Sequence, residues 1–233
     1  MSIRILPAHI SSITDLSPTA REVVLTLPEP LGFTAGAFVN VFMENHGKKD
    51  RRAYSISSSP TNQSEIALSI RKGSAGGMSE RFWDADISSV PLEIMGPLGH
   101  HTADKITHSR VFLFAFGIGI SPLKGILHEL LERSGVTEIH IYTASKTEDE
   151  ILYREFLENV CANDTRVTCT FVVSNPVSNT YPYTGYITDY IKNCSFADST
   201  VYICGRVGAC TALQEAIEAQ SPKPPEFLVE EFG

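Results

Sequence analysis

Short alternations of apolar and polar positions run through the first hundred or so residues: Ile3 to Ile10, Glu22 to Leu27, Ala37 to Met43, Ala53 to Ser57, Ile66 to Arg71 and Leu92 to Met95. Period-2 patterning bounded by turn-forming residues predicts half-buried strands. Turn signals stand between them at Pro28-Glu29-Pro30-Leu31-Gly32 and Asn45-His46-Gly47. Six strands and one short helix candidate, Met78 to Asp84, predict a small antiparallel β-barrel.

After His108 the rhythm changes to strand, helix, strand: Val111 to Ala115, Pro122 to Arg133, Glu138 to Thr143, Glu148 to Val160 and Val167 to Ser174. A short helix near Ile187 to Lys192 follows, then a strand from Thr200 to Cys204, a helix over Gly208 to Ala219 and a last apolar strand, Phe227 to Val229. Such alternation predicts a Rossmann-like parallel sheet with helices on both faces. The polar stretch Thr102 to Ser109 has no periodicity, so the expected division is a β-barrel domain over 1–104 and an α/β domain over 105–233.

The chain has 233 residues, 42% of them hydrophobic, enough to bury one sizeable core or two modest ones. The longest apolar run, Val111 to Ile120, is short and broken by glycines, which argues against membrane insertion. The N-terminus carries no charged leader feeding an apolar segment, so a cytoplasmic location is expected. A formal net charge of −8 excludes general nucleic-acid binding, which depends on a basic surface. The five cysteines lack paired close spacing, so free thiols and no metal cluster are expected. Against the acidic average, Lys48, Lys49, Arg51 and Arg52 form a local basic cluster, either a solvated surface or a docking site for an acidic protein.

That cluster runs into Arg52-Ala53-Tyr54-Ser55. On an alternating strand, Arg52 and Tyr54 share a face, with a guanidinium suited to phosphate, a ring able to stack on a planar heterocycle, and a serine hydroxyl beside them. An exposed arginine next to a half-buried tyrosine is the plain alternative. Gly73-Ser74-Ala75-Gly76-Gly77-Met78-Ser79 adds a glycine-rich loop leading to the helix candidate, a second phosphate device unless it is only a flexible surface loop.

In the second half, the strand ending at Phe116 opens into Gly117-Ile118-Gly119, and Ser121-Pro122 reads as N-cap and first-turn proline. Glycines at the carboxyl end of a strand let a ligand approach the backbone where open α/β sheets place their sites. Cys204-Gly205 ends another buried strand in the same way, although an unpaired cysteine is also a common small core residue.

Taken together, these motifs resemble the ferredoxin-NADP reductase superfamily of flavoproteins over nearly the whole chain. The resemblance implies that Arg52 pairs with the FAD pyrophosphate, Tyr54 stacks on the isoalloxazine and Ser55 lies near flavin N5. It also implies that Gly76, Gly77, Met78 and Ser79 cradle the pyrophosphate, with Ile70 on the strand feeding that loop counted among the cofactor contacts. Gly117, Gly119, Ser121 and Pro122 look like the nicotinamide-nucleotide loop, and Cys204-Gly205 like the pair that sets the nicotinamide beside the flavin. The run Gly185-Tyr186-Ile187-Thr188-Asp189 is also similar to the nucleotide domain of the family. The ending Glu230-Glu231-Phe232-Gly233 is similar to the Glu-x-Phe ending of bacterial members, making Phe232 a cover for the flavin face and Glu230 its polar neighbour. Ser55, Cys204 and Glu230 are then the expected catalytic residues. The chain departs from the family pattern at Ala37, often glutamine; at Ala209 and Cys210, where a methionine is common; and at Phe232, which is not the terminal tyrosine of plant enzymes.

The implied reaction is hydride transfer from NADH or NADPH to FAD and onward electron transfer to a ferredoxin, a flavodoxin, an oxygenase component or a small-molecule acceptor. Lys146 after the second α/β strand suits a 2′-phosphate, but Ser174-Asn175 after the third carries no arginine, which favours NADH. The alternatives are a flavin reductase that releases reduced flavin and an electron-transfer subunit active only in a complex.

Overall fold

A computed structural model describes residues 2–45, 47–178 and 180–232. The amino-terminal half is a six-stranded antiparallel half-barrel of β1 (Arg4–Ser17), β2 (Ala20–Thr26), β3 (Phe38–Asn45), β4 (Lys48–Ser55), β5 (Glu65–Arg71) and β6 (Leu92–Leu98), in the order β4-β3-β6-β1-β2-β5. Strand β1 outruns its expected end because it serves two neighbours, pairing with β6 over Arg4–Ala8 and with β2 over His9–Ser17, with register shifts that bend it between them. Inward positions close the core: Leu6, Ala8, Val23, Leu25, Val39, Val41, Ile66, Leu68 and Ile94 are buried. The end strands meet through a bridge between Ile56 and Leu68 just past β4, and upstream of it β4 pairs with β3 alone.

The carboxy-terminal half is a parallel sheet of β7 (Arg110–Phe116), β8 (Glu138–Ser145), β9 (Val167–Val173), β10 (Thr200–Arg206) and β11 (Glu226–Phe232), ordered β11-β10-β7-β8-β9. Helices α1 (Ile120–Leu131) and α2 (Arg154–Asn163) cover one face through Leu123, Leu127 and Leu157, packed on Leu113, Ile139 and Ile141. The short α3 (Ile187–Tyr190) and α4 (Val207–Gln220) cover the other through Ile187, Leu213 and Ile217 against Phe112, Phe114 and Ile203. The strand order reverses between β7 and β10, so their carboxyl ends flank the crevice such sheets offer to ligands. The expected division at 104/105 falls in the connection from β6 to β7, inside a 3₁₀ turn at Ala103–Lys105.

Two expected helices differ. Met78 to Asp84 contributes only a 3₁₀ turn, Glu80–Trp83. Glu148 to Val160 breaks into a 3₁₀ turn, Glu148–Glu150, and α2, because Tyr153 takes a left-handed φ of 56° that no α-helix accommodates. The basic cluster forms the exposed outer run of β4, which begins at Lys48. Among the described residues no helix is long and apolar enough to cross a membrane.

Candidate functional site

Strand β4 forms the first wall. Asp50, Arg52 and Tyr54 alternate onto one face, and the loop after β5 closes over both ends of that row. At one end the Tyr54 and Ser79 hydroxyls are 2.8 Å apart; at the other, Asn45 Nδ2 donates to Asp50 Oδ2 (2.9 Å) and to the Gly76 carbonyl (3.2 Å). Arg52 lies exposed between them, its Nη1 donating to the Arg51 carbonyl. Tyr54 packs edge-on against Phe82 at 5.9 Å, and burial pushes its phenol up, moderated by the Ser79 hydrogen bond and by Arg52. The ring is thus held in place and neutral, as a stacking surface requires.

Gly76 has a φ of 74°, and nothing lies within 4 Å of where its side chain would be. Its amide donates to Glu80 Oε2 at 2.7 Å, so the loop already holds a carboxylate oxygen at the position where a phosphate is expected. Asn45 Oδ1, beside this loop, is buried without a partner. Ile70 and Met78 differ from the expected cofactor contacts: both residues are fully buried in the barrel core. Ser79 occupies the cap position of the 3₁₀ turn but makes no capping bond, its hydroxyl being engaged by Tyr54.

The second wall is built by backbones in close approach. A Cβ on Gly119 would lie 2.1 Å from the Cys204 carbonyl oxygen, and one on Gly205, whose φ is 151°, would lie 2.6 Å from Phe116 Cβ. Only glycine lets the ends of β7 and β10 converge in this way. Gly119 also takes the cap position of α1; Ser121, expected there, lies inside the helix and donates across the seam to the Ser55 carbonyl at 3.0 Å. Pro122 is buried beside it.

Ser55 ties the walls together, since its Oγ donates to Glu230 Oε1 at 3.2 Å. Tyr202 Oη lies 2.9 Å from Glu230 Oε2 and 2.8 Å from the His101 carbonyl, so one proton serves both acceptors. Burial raises the Glu230 carboxyl above its ordinary range, partly offset by Tyr202 and Ser55. Glu230 stands in register with Cys204, whose fully buried thiol is pushed well up by burial and then by Glu230. Burial therefore keeps the Cys204 thiol in its uncharged form. Phe232, two residues beyond Glu230 on the same strand face, is half-buried.

Sequence reasoning missed Arg71. It ends β5, where Nη1 donates to Thr19 Oγ1 (2.8 Å) and pairs with Glu150 (3.1 Å), and Nη2 lies 3.4 Å from the Cβ position of Gly117, itself at φ 56°. A cation from the barrel thus flanks the glycine loop of the other half. Its position three residues before Ser74 was visible, but no local pattern reveals that it crosses the seam. At the outer ends of β8 and β9, the Glu148 carboxylate accepts the Val177 (2.8 Å) and Ser178 (2.9 Å) amides, which hold it below the usual range, and the Lys146 carbonyl accepts the Asn175 amide at 2.8 Å.

Comparison with known proteins agrees with this layout. Residues 7–102 match the oxidoreductase FAD-binding domain family, and residues 113–215 match the oxidoreductase NAD-binding domain family. The chain is 28% identical over 230 residues to the toluate 1,2-dioxygenase electron transfer component of Pseudomonas putida, covering 97% of this chain and 67% of that protein. It is 26% identical over 226 residues to an NAD(P)H-flavin reductase of Aliivibrio fischeri, covering 94% of each. In fold it is similar to an Amycolatopsis cytochrome P450 reductase, with a TM-score of 0.88 at 24% identity over 99% of this chain and 70% of the other.

Proposed function

Because the chain belongs to the ferredoxin-NADP reductase superfamily of FAD- and NAD(P)-dependent oxidoreductases, we propose that it passes reducing equivalents from NADH through bound FAD to a separate electron acceptor. When bound, the flavin supplies the redox chemistry, accepting hydride from the reduced nicotinamide and delivering electrons onward. What carries the reading is the link from Ser121 through Ser55 to Glu230, which draws the β4 wall and the glycine-lined ends of β7 and β10 into one site.

The chain's own residues then bind, orient and exclude water. Arg52 and the Gly76–Ser79 backbone hold the diphosphate, and Tyr54 offers its ring as a stacking face. Ser55 and the raised carboxyl of Glu230 present hydrogen bonds at the reacting edge, Cys204 supplies an uncharged wall and Phe232 a cover. Arg71 offers the nucleotide's diphosphate a cation beside Gly117. NADH is favoured over NADPH because the turn after β8 carries Glu148 and Asp149, which would face a 2′-phosphate with like charge. An oxygenase component or an acidic iron-sulfur or flavodoxin-like protein suits the exposed cations of β4. The halves divide near residue 104 into a flavin-binding and a nucleotide-binding domain.

The test is anaerobic titration of the purified chain, reconstituted with FAD, by NADH and by NADPH. Bleaching of the yellow absorbance, with the larger kcat/KM for NADH, is expected; an unbleached flavin refutes the proposal. A flavin reductase with exchangeable FAD is the second reading, favoured by the Glu80 carboxylate on the Gly76 amide, which an incoming phosphate must displace. Colour lost on gel filtration, with turnover that saturates in added FAD, selects it.

A further inference from the structure

Two carboxylates cross the seam between the halves in opposite directions. Glu22, on β2 of the barrel, accepts the Tyr153 hydroxyl at 2.7 Å and Lys124 Nζ at 3.0 Å, with the Ser57 hydroxyl at 3.4 Å. Tyr153 oxygen also lies 2.7 Å from Ser69 Oγ on β5. Glu150 reaches back from the α/β half to Arg71 (3.1 Å), Ser17 (3.1 Å) and Thr19 (2.9 Å). The side chains of Lys124 and Glu22 are only 14% and 21% exposed, so removing either charge strands the other in a poorly solvated place.

The Glu22 group sits where it controls geometry without facing a ligand. Lys124 and Gly125 lie on α1 directly behind the Gly117–Gly119 loop, and a Cβ on Gly125 would lie 3.1 Å from the Ile56 and Ser58 carbonyls, so this turn rests on the chain leaving β4. Lys124 Nζ is 4.6 Å from the centroid of the Tyr153 ring, and that ring is buried at the point where the backbone turns left-handed. A non-glycine residue holds such a conformation when its surroundings over-determine it, and here the hydroxyl has partners on two barrel strands.

We propose that Glu22, together with Lys124 and Tyr153, is a positioning residue for nicotinamide-to-flavin transfer: it fixes α1 and its glycine loop against the barrel at the distance the reaction needs. The inference rests on the reading above. Misplacement of a reactant by about 1 Å can lower a rate by about 100-fold even when both ligands still bind.

The test compares wild type, Glu22→Gln, Tyr153→Phe and the double variant Glu22→Gln/Lys124→Met, each reconstituted with FAD. In Glu22→Gln the limiting rate of anaerobic flavin reduction by NADH should fall about 10- to 100-fold. The Kd values for FAD and NADH should stay within about twofold, and the long-wavelength charge-transfer absorbance of the reduced flavin with NAD should weaken. Without cofactor, hydrogen exchange should quicken in residues 117–126 but not in β3 and β6. Tyr153→Phe, which removes one hydroxyl, should shift the same readouts in the same direction by a smaller factor and keeps the test open where Glu22→Gln does not fold. The double variant, which strands no charge, should lose less rate than Glu22→Gln, which leaves Lys124 unpaired. A reduction rate and charge-transfer band within about twofold of wild type in both single variants would overturn the proposal, as would a rate loss explained by lost FAD. Wild type that bleaches with neither nucleotide refutes the parent reading instead.

Discussion

The two walls of the site are made differently. On the barrel side, Arg52, Tyr54, Ser79 and Glu80 project polar side chains from an edge strand and a loop, and the Cβ position of Gly76 is open. On the α/β side the contacts are main chain against main chain, with Gly119 under the Cys204 carbonyl and Gly205 against Phe116. The first wall can lose a side chain and keep its shape, whereas the second has no room for one. Affinity should therefore be adjustable on the barrel side, while the α/β side should respond to substitution through stability.

The sharpest way to break this contrast is Gly119→Ala. The clash with the Cys204 carbonyl is with backbone, so the destabilisation should reach or exceed the upper end of the about 1–3 kcal/mol of overpacked cores, and calorimetry should show a Tm several degrees lower. An unchanged Tm would mean that the strand ends are not in contact. Arg52→Ala should do the reverse, keeping Tm while FAD binding weakens by about 10- to 100-fold, the equivalent of a lost charge-assisted hydrogen bond. Fluorescence titration with FAD reads this directly.

Glu230→Gln separates the walls at their link. The folded-state carboxyl is raised, so the folded protein binds the proton more tightly than the unfolded chain does. The stability this contributes is present at low pH and declines as pH rises through the raised value. Glu230→Gln should remove that decline, and the difference in Tm between variant and wild type should move in the variant's favour as pH rises from about 4.3 towards neutrality. A difference that moves the opposite way would place the carboxylate in a site that favours its charge. The smallest effect is expected at Lys146→Ala: the ratio of kcat/KM for NADH and NADPH should change by less than about threefold, since the acidic turn beside it already disfavours a 2′-phosphate.

Local pattern made most of the fold legible. The period-2 runs of β3 and β5 and the glycine-terminated strands β7 and β10 report their environment within a few residues. Because it was local, the β4 segment that carries Arg52, Tyr54 and Ser55 could be found as well. Glu22, Lys124, Tyr153 and Arg71 could not, because their hydrogen-bond partners across the seam lie 79 to 131 residues away and nothing in the neighbouring sequence marks them. The same long-range ties ended the expected helix at Glu148, where the anchoring of Tyr153 overrode a favourable helical pattern. Ile70 and Met78 show the converse: a motif can lie in the right place while its apolar side chains turn into the core.

Strand β4 has one further consequence. Along its length it hydrogen-bonds only to β3, so a row of amides and carbonyls faces outward, the arrangement by which one polypeptide templates the next into a continuous sheet. Lys48, Lys49, Arg51 and Arg52 occupy that rim, and a second molecule arriving in register would meet their repulsion. Neutralising these four should make the protein prone to associate strand by strand at low ionic strength, giving the cations a role in solubility that holds whether or not any redox partner uses them.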